Sequence, residues 1–189
     1  MNVEENMQTS DAQLLAEATQ GSEASFTALY RRRQGNVYRF ALHMTGDVII
    51  AEDVTQEVFL ELLSRGSRYD AGRGSVQAFL LGVARNLVLR RLEKDGVRPS
   101  GEMEEAAAAE DLLQDLTRRE TIDQVRRAVL SLPAVYRETV VLCDLEELNY
   151  EDAAAALDCP LGTVRSRLAR GRGMLAQKLE GVRLSACGV

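Results

Sequence analysis

Residues 158–170 decide the fold of the C-terminal half, and their sequence is DCPLGTVRSRLAR. Residues 158–160 form a short turn, because proline cannot continue a helix that precedes it. A second helix is predicted from about Gly162 to Leu179, and a shorter one before the turn ends near Leu157. Two short helices joined by a three-residue turn, the second rich in arginine, are typical of a helix-turn-helix.

The predicted helix after the turn has an apolar face and an opposite face of small residues. At 100° per residue the apolar face holds Val164, Leu168, Leu175 and Leu179. The small stripe is Gly162, Ser166, Ala169 and Gly173, bordered by Arg165 and Arg172 on one side and by Thr163, Arg167 and Arg170 on the other. Small residues let a backbone approach base edges, and guanidinium groups reach phosphates or guanine. We predict DNA binding; a solvated basic face of a helical bundle is the alternative.

Composition predicts an all-α protein of two small helical domains. Aromatic residues make up 5% of the 189 residues and tryptophan is absent, so the core must be built from Leu, Val and Ala. A Gly- and Pro-containing, then acidic and Ala-rich stretch predicts a flexible acidic linker at 95–118. It separates an N-terminal domain (11–94) from a C-terminal domain (119–180), with a disordered N-terminus at 1–10 and a tail at 181–189.

The net charge of −6 does not argue against DNA binding, because the charge is distributed unevenly along the chain. Acid concentrates in the linker, while arginines cluster in residues 85–94 and 165–178, as local DNA-facing patches would require. The three cysteines and the single histidine have no metal-ligand spacing, so we expect no metal and no cofactor. No run is long enough to span a membrane and residues 1–10 do not resemble a signal peptide, so we expect a cytoplasmic protein without membrane insertion.

Three segments of the C-terminal domain resemble region 4 of the extracytoplasmic function (ECF) sigma factors. They are LPAVYR at 132–137, NYEDAA at 149–154 and CPLGTVRSRLAR at 159–170. In that family the last helix recognises the −35 promoter element. The resemblance implies that the DNA-contacting residues are Thr163, Arg165, Ser166, Arg167, Ala169 and Arg170.

The N-terminal domain resembles region 2 of the same family, through AEDVTQEVF at 51–59 and a weaker match over 11–30. The resemblance implies that a helix predicted from Asp47 to Ser64 binds the clamp coiled coil of the largest polymerase subunit, through Asp53, Gln56, Glu57 and Leu60. It also implies that the loop at 67–75 and a helix from Val76 to Glu93 recognise and melt the −10 element. The residues assigned to that task are Arg68, Tyr69, Asp70, Arg73, Ser75, Arg85, Asn86, Arg90 and Arg91.

The resemblance as a whole implies an alternative sigma factor, with core RNA polymerase (clamp and flap), promoter DNA and an anti-sigma factor as partners. An ordinary helix-turn-helix regulator would instead bind its operator without polymerase, and a sigma-like protein that has lost initiation activity is a further alternative. An enzyme is disfavoured, because no nucleophile–base pair or Gly-Lys-Ser/Thr phosphate loop is present and no catalytic residues are assigned.

The sequence departs from the family pattern at several positions. Ala153 and Ala156 replace larger aliphatic residues, Asp158 replaces the usual turn glycine, and Phe79 stands where tryptophan is common. Asp tolerates the left-handed conformation that such a turn needs. Gly171 and Gly173 are each expected to weaken their helix by roughly 1 kcal/mol relative to alanine.

Overall fold

The computed structural model describes residues 9–65, 68–95 and 112–186, and helices make up its regular structure there. In chain order they are α1 (Asp11–Thr19), α2 (Glu23–Thr45), α3 (Val48–Arg65), α4 (Val76–Asp95), α5 (Leu112–Leu130), α6 (Ala134–Val140), α7 (Tyr150–Leu157) and α8 (Leu161–Ala186). A π-helical turn, Val141–Leu145, continues α6. The prediction of an all-α protein is confirmed for these residues.

Side-chain caps begin the first three helices. The Ser10 hydroxyl accepts a hydrogen bond from the Gln13 amide, and the Ser22 hydroxyl accepts one from the Ser25 amide. The Asp47 carboxylate accepts from the Ile50 amide at 3.0 Å. Each cap satisfies an amide that has no partner within its own helix. The predicted start of α3 at Asp47 is therefore its capping residue.

The core of the N-terminal domain lies between α2, α3 and α4. Phe40, Val54 and Leu80 are fully buried there, and α1 covers one end through Leu14 and Leu15. Helix α4 is apolar around most of its circumference because neighbours cover it on several sides. They are α2 and α3 of its own domain and α7 of the C-terminal domain.

One hydrophobic cluster spans both domains, and a second, smaller one lies within the C-terminal domain. Buried Val129, Val141 and Leu142 belong to the same cluster as Phe40 and Leu80. A flexible linker was predicted between the two domains, and in this structure the domains pack together. Of the described helices, none has the length and apolarity needed to cross a membrane.

Helix α5 begins inside the segment predicted as linker. The linker was placed at 95–118, whereas a helix runs from Leu112 to Leu130. Helix α8 also continues to Ala186, past the predicted end at Leu179. The expectations for residues 1–8, 96–111 and 187–189 lie outside the described residues.

Candidate nucleic-acid interface

The helix-turn-helix has the predicted geometry. The Asn149 side chain caps α7 by accepting from the Asp152 amide at 2.7 Å. Asp158 ends α7 in the left-handed conformation, with φ 48° and ψ 50°, and α8 starts at Leu161. Asp is one of the few non-glycine residues that adopt this conformation at modest cost, so the departure from a turn glycine leaves the turn intact.

Helix α8 packs with its apolar face inward and its small stripe outward. Val164 and Leu168 are fully buried. The outward residues are Gly162, Arg165, Ser166, Ala169, Arg170 and Gly173, all exposed, whereas Thr163 and Arg167 are half-buried. Five of the six residues predicted for the −35 element therefore border one surface. Arg167 instead turns toward α6 of its own domain, where its Nη1 lies 3.4 Å from Glu138 Oε1.

The arginines around the stripe differ in how firmly they are held. Arg172 forms a two-point ion pair with Asp144 at 2.6 and 3.1 Å, and this hydrogen bonding raises the Arg172 pKa. Arg165 stands over the Tyr150 ring, with 6.0 Å between guanidinium carbon and ring centroid. Arg170 has no acidic partner among the described side chains. The stripe therefore carries one arginine fixed by a carboxylate and two that are available to a ligand.

Gly171 has a role that the sequence did not reveal. A Cβ built on it would lie 2.7 Å from Val140 Cγ2 and 3.4 Å from the Tyr136 carbonyl oxygen. The glycine is what allows α8 to approach α6 this closely, whereas the same construction at Gly173 meets nothing within 4 Å. The sequence predicts the same weakening of the helix by both glycines, whereas in the structure only Gly171 lies at a close contact between helices.

Most of the residues predicted for the −10 element converge on one cavity of about 400 Å³. Seven of the nine line it: Arg68, Tyr69, Asp70, Arg73, Ser75, Arg85 and Asn86. Phe79, which replaces the family's tryptophan, packs against Tyr69 in an edge-to-face arrangement with 5.8 Å between ring centroids. Burial raises the Tyr69 pKa, so its hydroxyl stays neutral beside the acidic residues nearby. The cavity offers aromatic faces, amide groups and guanidinium groups to an unstacked base.

The remaining two −10 candidates lie elsewhere. Arg90 borders a neighbouring hollow with Asn86, and its Nη2 is 3.6 Å from Glu61 Oε1. Arg91 bridges two carboxylates of α3, at 2.8 Å from Glu57 Oε2 and 3.3 Å from Asp53 Oδ2. In this structure Arg91 therefore belongs to the surface predicted to bind polymerase.

The surface predicted to bind polymerase is the outer face of α3. Asp53, Gln56 and Leu60 are exposed, Leu60 at 66%, and Glu57 is half-buried. Two further apolar side chains extend it at helical spacing: Ile49, 71% exposed, and Leu63, 50% exposed. We call these six residues the polymerase strip. Ile49 and Leu63 were not among the predicted residues, although each lies three or four positions from a predicted member of the strip.

The described side chains contain no group of three or more His, Cys, Asp or Glu residues placed to hold a metal ion. Burial raises the Cys143 pKa to about 11 and raises that of Cys159, so both remain thiols at neutral pH. Burial therefore disfavours the thiolate form that a nucleophilic cysteine needs.

Family models match both domains. The model described as Sigma-70 region 2 matches residues 29–97, and that described as Sigma-70, region 4 matches residues 122–175. The ECF RNA polymerase sigma factor SigC of Mycobacterium tuberculosis is 34% identical over 170 residues, covering 88% of this chain and 90% of that protein. The chain belongs to the ECF family of RNA polymerase sigma factors.

Other relatives agree with this membership. The ECF RNA polymerase sigma factor SigE of Mycolicibacterium smegmatis is 34% identical over 174 residues, which cover 87% of this chain and 65% of that longer protein. Among solved structures, the sigma factor RpoE of Bartonella quintana, in complex with the anti-sigma factor NepR, superposes with a TM-score of 0.62 at 26% identity. That match covers 78% of this sigma factor and 91% of RpoE. CnrH, in complex with the cytosolic domain of CnrY, shares the fold, with a TM-score of 0.70 at 22% identity over 90% of this chain and 97% of CnrH.

Proposed function

We propose that this sigma factor recognises the −35 element with the exposed stripe of α8 and melts the −10 element with the cavity beside α4. The observation that carries the proposal is the convergence of seven predicted −10 residues on one cavity. A flipped base needs stacking and edge hydrogen bonds, and Tyr69, Asn86 and Arg85 supply both kinds of group there. On α8, Arg165 and Arg170 flank Ala169, which lets the helix sink toward base edges.

The polymerase strip is proposed to bind the clamp coiled coil of the largest subunit, and the C-terminal domain the flap. An acidic surface with exposed apolar residues suits a partner that presents basic side chains around a hydrophobic centre. That apolar part consists of three exposed side chains along α3, those of Ile49, Leu60 and Leu63. Charge pairing sets the register, while apolar burial supplies most of the affinity.

An anti-sigma factor is proposed as a further partner, since the similar sigma factor RpoE was solved in complex with the anti-sigma factor NepR. We further propose that the protein acts in the cytoplasm, with RNA polymerase, and that it is not an enzyme. Its two described thiols have pKa values raised by burial, which disfavours nucleophilic chemistry.

Run-off transcription with core RNA polymerase on genomic fragments tests the proposal. We expect discrete start sites that appear only when the sigma factor and core polymerase are both present. Sequence-specific operator binding and repression without polymerase would instead establish an ordinary helix-turn-helix regulator. Stable polymerase binding without transcripts from any fragment would establish a sigma-like protein that has lost initiation activity.

A further inference from the structure

Tyr150 is a large side chain held at the surface beside the small stripe of α8. It is the first residue of α7 and is 36% exposed. The Asn149 side chain fixes this end of α7 by accepting a hydrogen bond from the Asp152 amide at 2.7 Å. The backbone that carries the tyrosine is therefore firmly placed, although most aromatic side chains stabilise a protein by being buried.

The ring of Tyr150 contacts Arg165, a residue proposed for the −35 element. The guanidinium carbon of Arg165 is 6.0 Å from the ring centroid, within the range of a cation–π contact. Arg165 is otherwise exposed, and a long exposed side chain loses much conformational freedom when it binds a ligand. An aromatic face restricts that freedom in advance. Unlike a carboxylate, it leaves the N–H donors of the guanidinium available.

A second arginine of α8 holds the ring of Tyr150 in turn. Arg172 lies two turns beyond Arg165 on the same side of the helix, about 10 Å further along its axis. Asp144, in the π-helical turn, accepts hydrogen bonds from Arg172 at 2.6 and 3.1 Å. These bonds raise the Arg172 pKa, and the Tyr150 side chain contributes to the shift as a further hydrogen-bond partner. A continuous set of contacts thus leads from Asp144 through Arg172 and Tyr150 to Arg165.

We infer that Tyr150 is a positioning residue for −35 recognition, whose ring holds the Arg165 guanidinium at the edge of the small stripe with its donors free for DNA. The inference rests on the proposed function, because it takes the stripe of α8 to be the −35 surface. Two arginines on one side of α8 then have different tasks. Arg172 anchors the ring, and Arg165 is presented to the promoter.

Nuclear magnetic resonance of the free protein tests the contact without DNA. The ring current of Tyr150 should displace the resonances of the Arg165 Cδ protons, which are assigned by their disappearance in Arg165→Lys. Tyr150→Phe keeps the ring and should keep most of the displacement, whereas Tyr150→Leu should abolish it. Circular dichroism checks that helicity is the same in all variants. Undisplaced resonances in the wild-type protein would overturn the inference.

Run-off transcription from a library of −35 sequences, with core RNA polymerase, tests the consequence for promoter recognition. Tyr150→Leu should reduce initiation by about two- to fivefold, the range that an exposed cation–π contact supports. It should alter base preference only where Arg165→Ala alters it. Tyr150→Phe should restore both initiation and preference. A Tyr150→Leu variant that initiates normally, or that changes preference at other positions, would overturn the inference.

A double-mutant cycle separates positioning from direct DNA contact by Tyr150. Adding Tyr150→Leu to Arg165→Ala should cause no further loss of initiation, because the guanidinium to be positioned is already gone. Arg170→Ala is the matched background, since Arg170 borders the opposite side of the stripe, and there the two- to fivefold loss should persist.

A further loss of the same size in the Arg165→Ala background would show that Tyr150 acts independently of Arg165, and would overturn the inference alone. If Arg165→Ala itself left transcription and base preference unchanged, the proposed role of Arg165 at the −35 element would fail, and the inference with it. The two failures are distinguishable, because only the second appears in the single variant Arg165→Ala.

Discussion

Replacing Gly171 with alanine should destabilise the protein, against the general rule for a glycine in a helix. The new methyl group would lie 2.7 Å from Val140 Cγ2, whereas carbon atoms in favourable contact are about 3.5–4.0 Å apart. Val140 is 1% exposed and β-branched, so it cannot rotate into solvent. The backbone carbonyl of Tyr136, at 3.4 Å, closes the other side. Helix α8 must therefore shift away from α6.

The magnitude follows from two opposing terms. Overpacking of a dense core costs about 1–3 kcal/mol, and the gain in helix propensity from glycine to alanine is about 1 kcal/mol. We expect a net loss of about 1 kcal/mol for Gly171→Ala. Gly173→Ala is the matched control, because its Cβ meets nothing within 4 Å and only the propensity gain of about 1 kcal/mol remains.

Thermal and urea unfolding followed by far-ultraviolet circular dichroism check this pair. At about 2–4 °C per kcal/mol for a chain of this size, a difference of about 2 kcal/mol separates the two midpoints by roughly 4–8 °C. The lower midpoint should belong to Gly171→Ala. If both variants raised the midpoint equally, the close approach of α8 to α6 would not exist, and the reasoning would fail.

Three further predictions concern the binding surfaces and pH. Reversing the charge of the two carboxylates of the polymerase strip, together with Leu60→Ala, should weaken binding to core polymerase while helicity stays unchanged. A fluorescence titration measures the affinity, and an unaltered value would show that this face does not bind polymerase. Arg165→Ala and Arg170→Ala should each reduce transcription initiation. Where the lost contact is to a base, the loss costs about 1–3 kcal/mol of binding free energy and alters the base preference at one −35 position. A promoter library measures that preference, and Lys178→Ala is the control that should leave it unchanged. Burial and neighbouring arginines lower the His43 pKa from 6.5 to about 4. The unfolded chain therefore takes up the proton first, and the free energy of unfolding should fall by roughly 3 kcal/mol as the pH drops from 6.5 to about 4. In a pH-dependent urea titration His43→Gln should flatten this dependence, and an unchanged slope would contradict the prediction.

The ends of α7 and the outward face of α8 could be predicted from the sequence, because both depend on residues that lie close together in the chain. Asn149 and Asp158 mark the two ends of α7 by a cap and by a left-handed turn, and both operate within a few residues of the chain. The outward face of α8 followed from helical periodicity alone. These features do not depend on where the other domain lies.

The features that the sequence did not reveal all depend on contacts between distant parts of the chain. From the sequence Gly171 is expected only to weaken its helix, whereas in the structure it lies against Val140. The small residues of α7 suggest loose packing, whereas in the structure α4 packs against Ala156. Glu138, which lies in α6, shows no sign in the sequence of pairing with Arg85, 53 residues earlier. Periodicity locates a buried face but does not identify what buries it.

The shared core also makes the balance between packed and separated domains sensitive to temperature. Val141 and Leu142 of the C-terminal domain belong to one apolar cluster with Phe40 of the N-terminal domain. Separation exposes part of this apolar surface and so increases the heat capacity. Hydrophobic burial weakens on cooling, whereas the ion pairs beside it have a different thermal response because the hydration of charges becomes less favourable on heating. The balance between packed and separated domains therefore shifts with temperature before any partner binds.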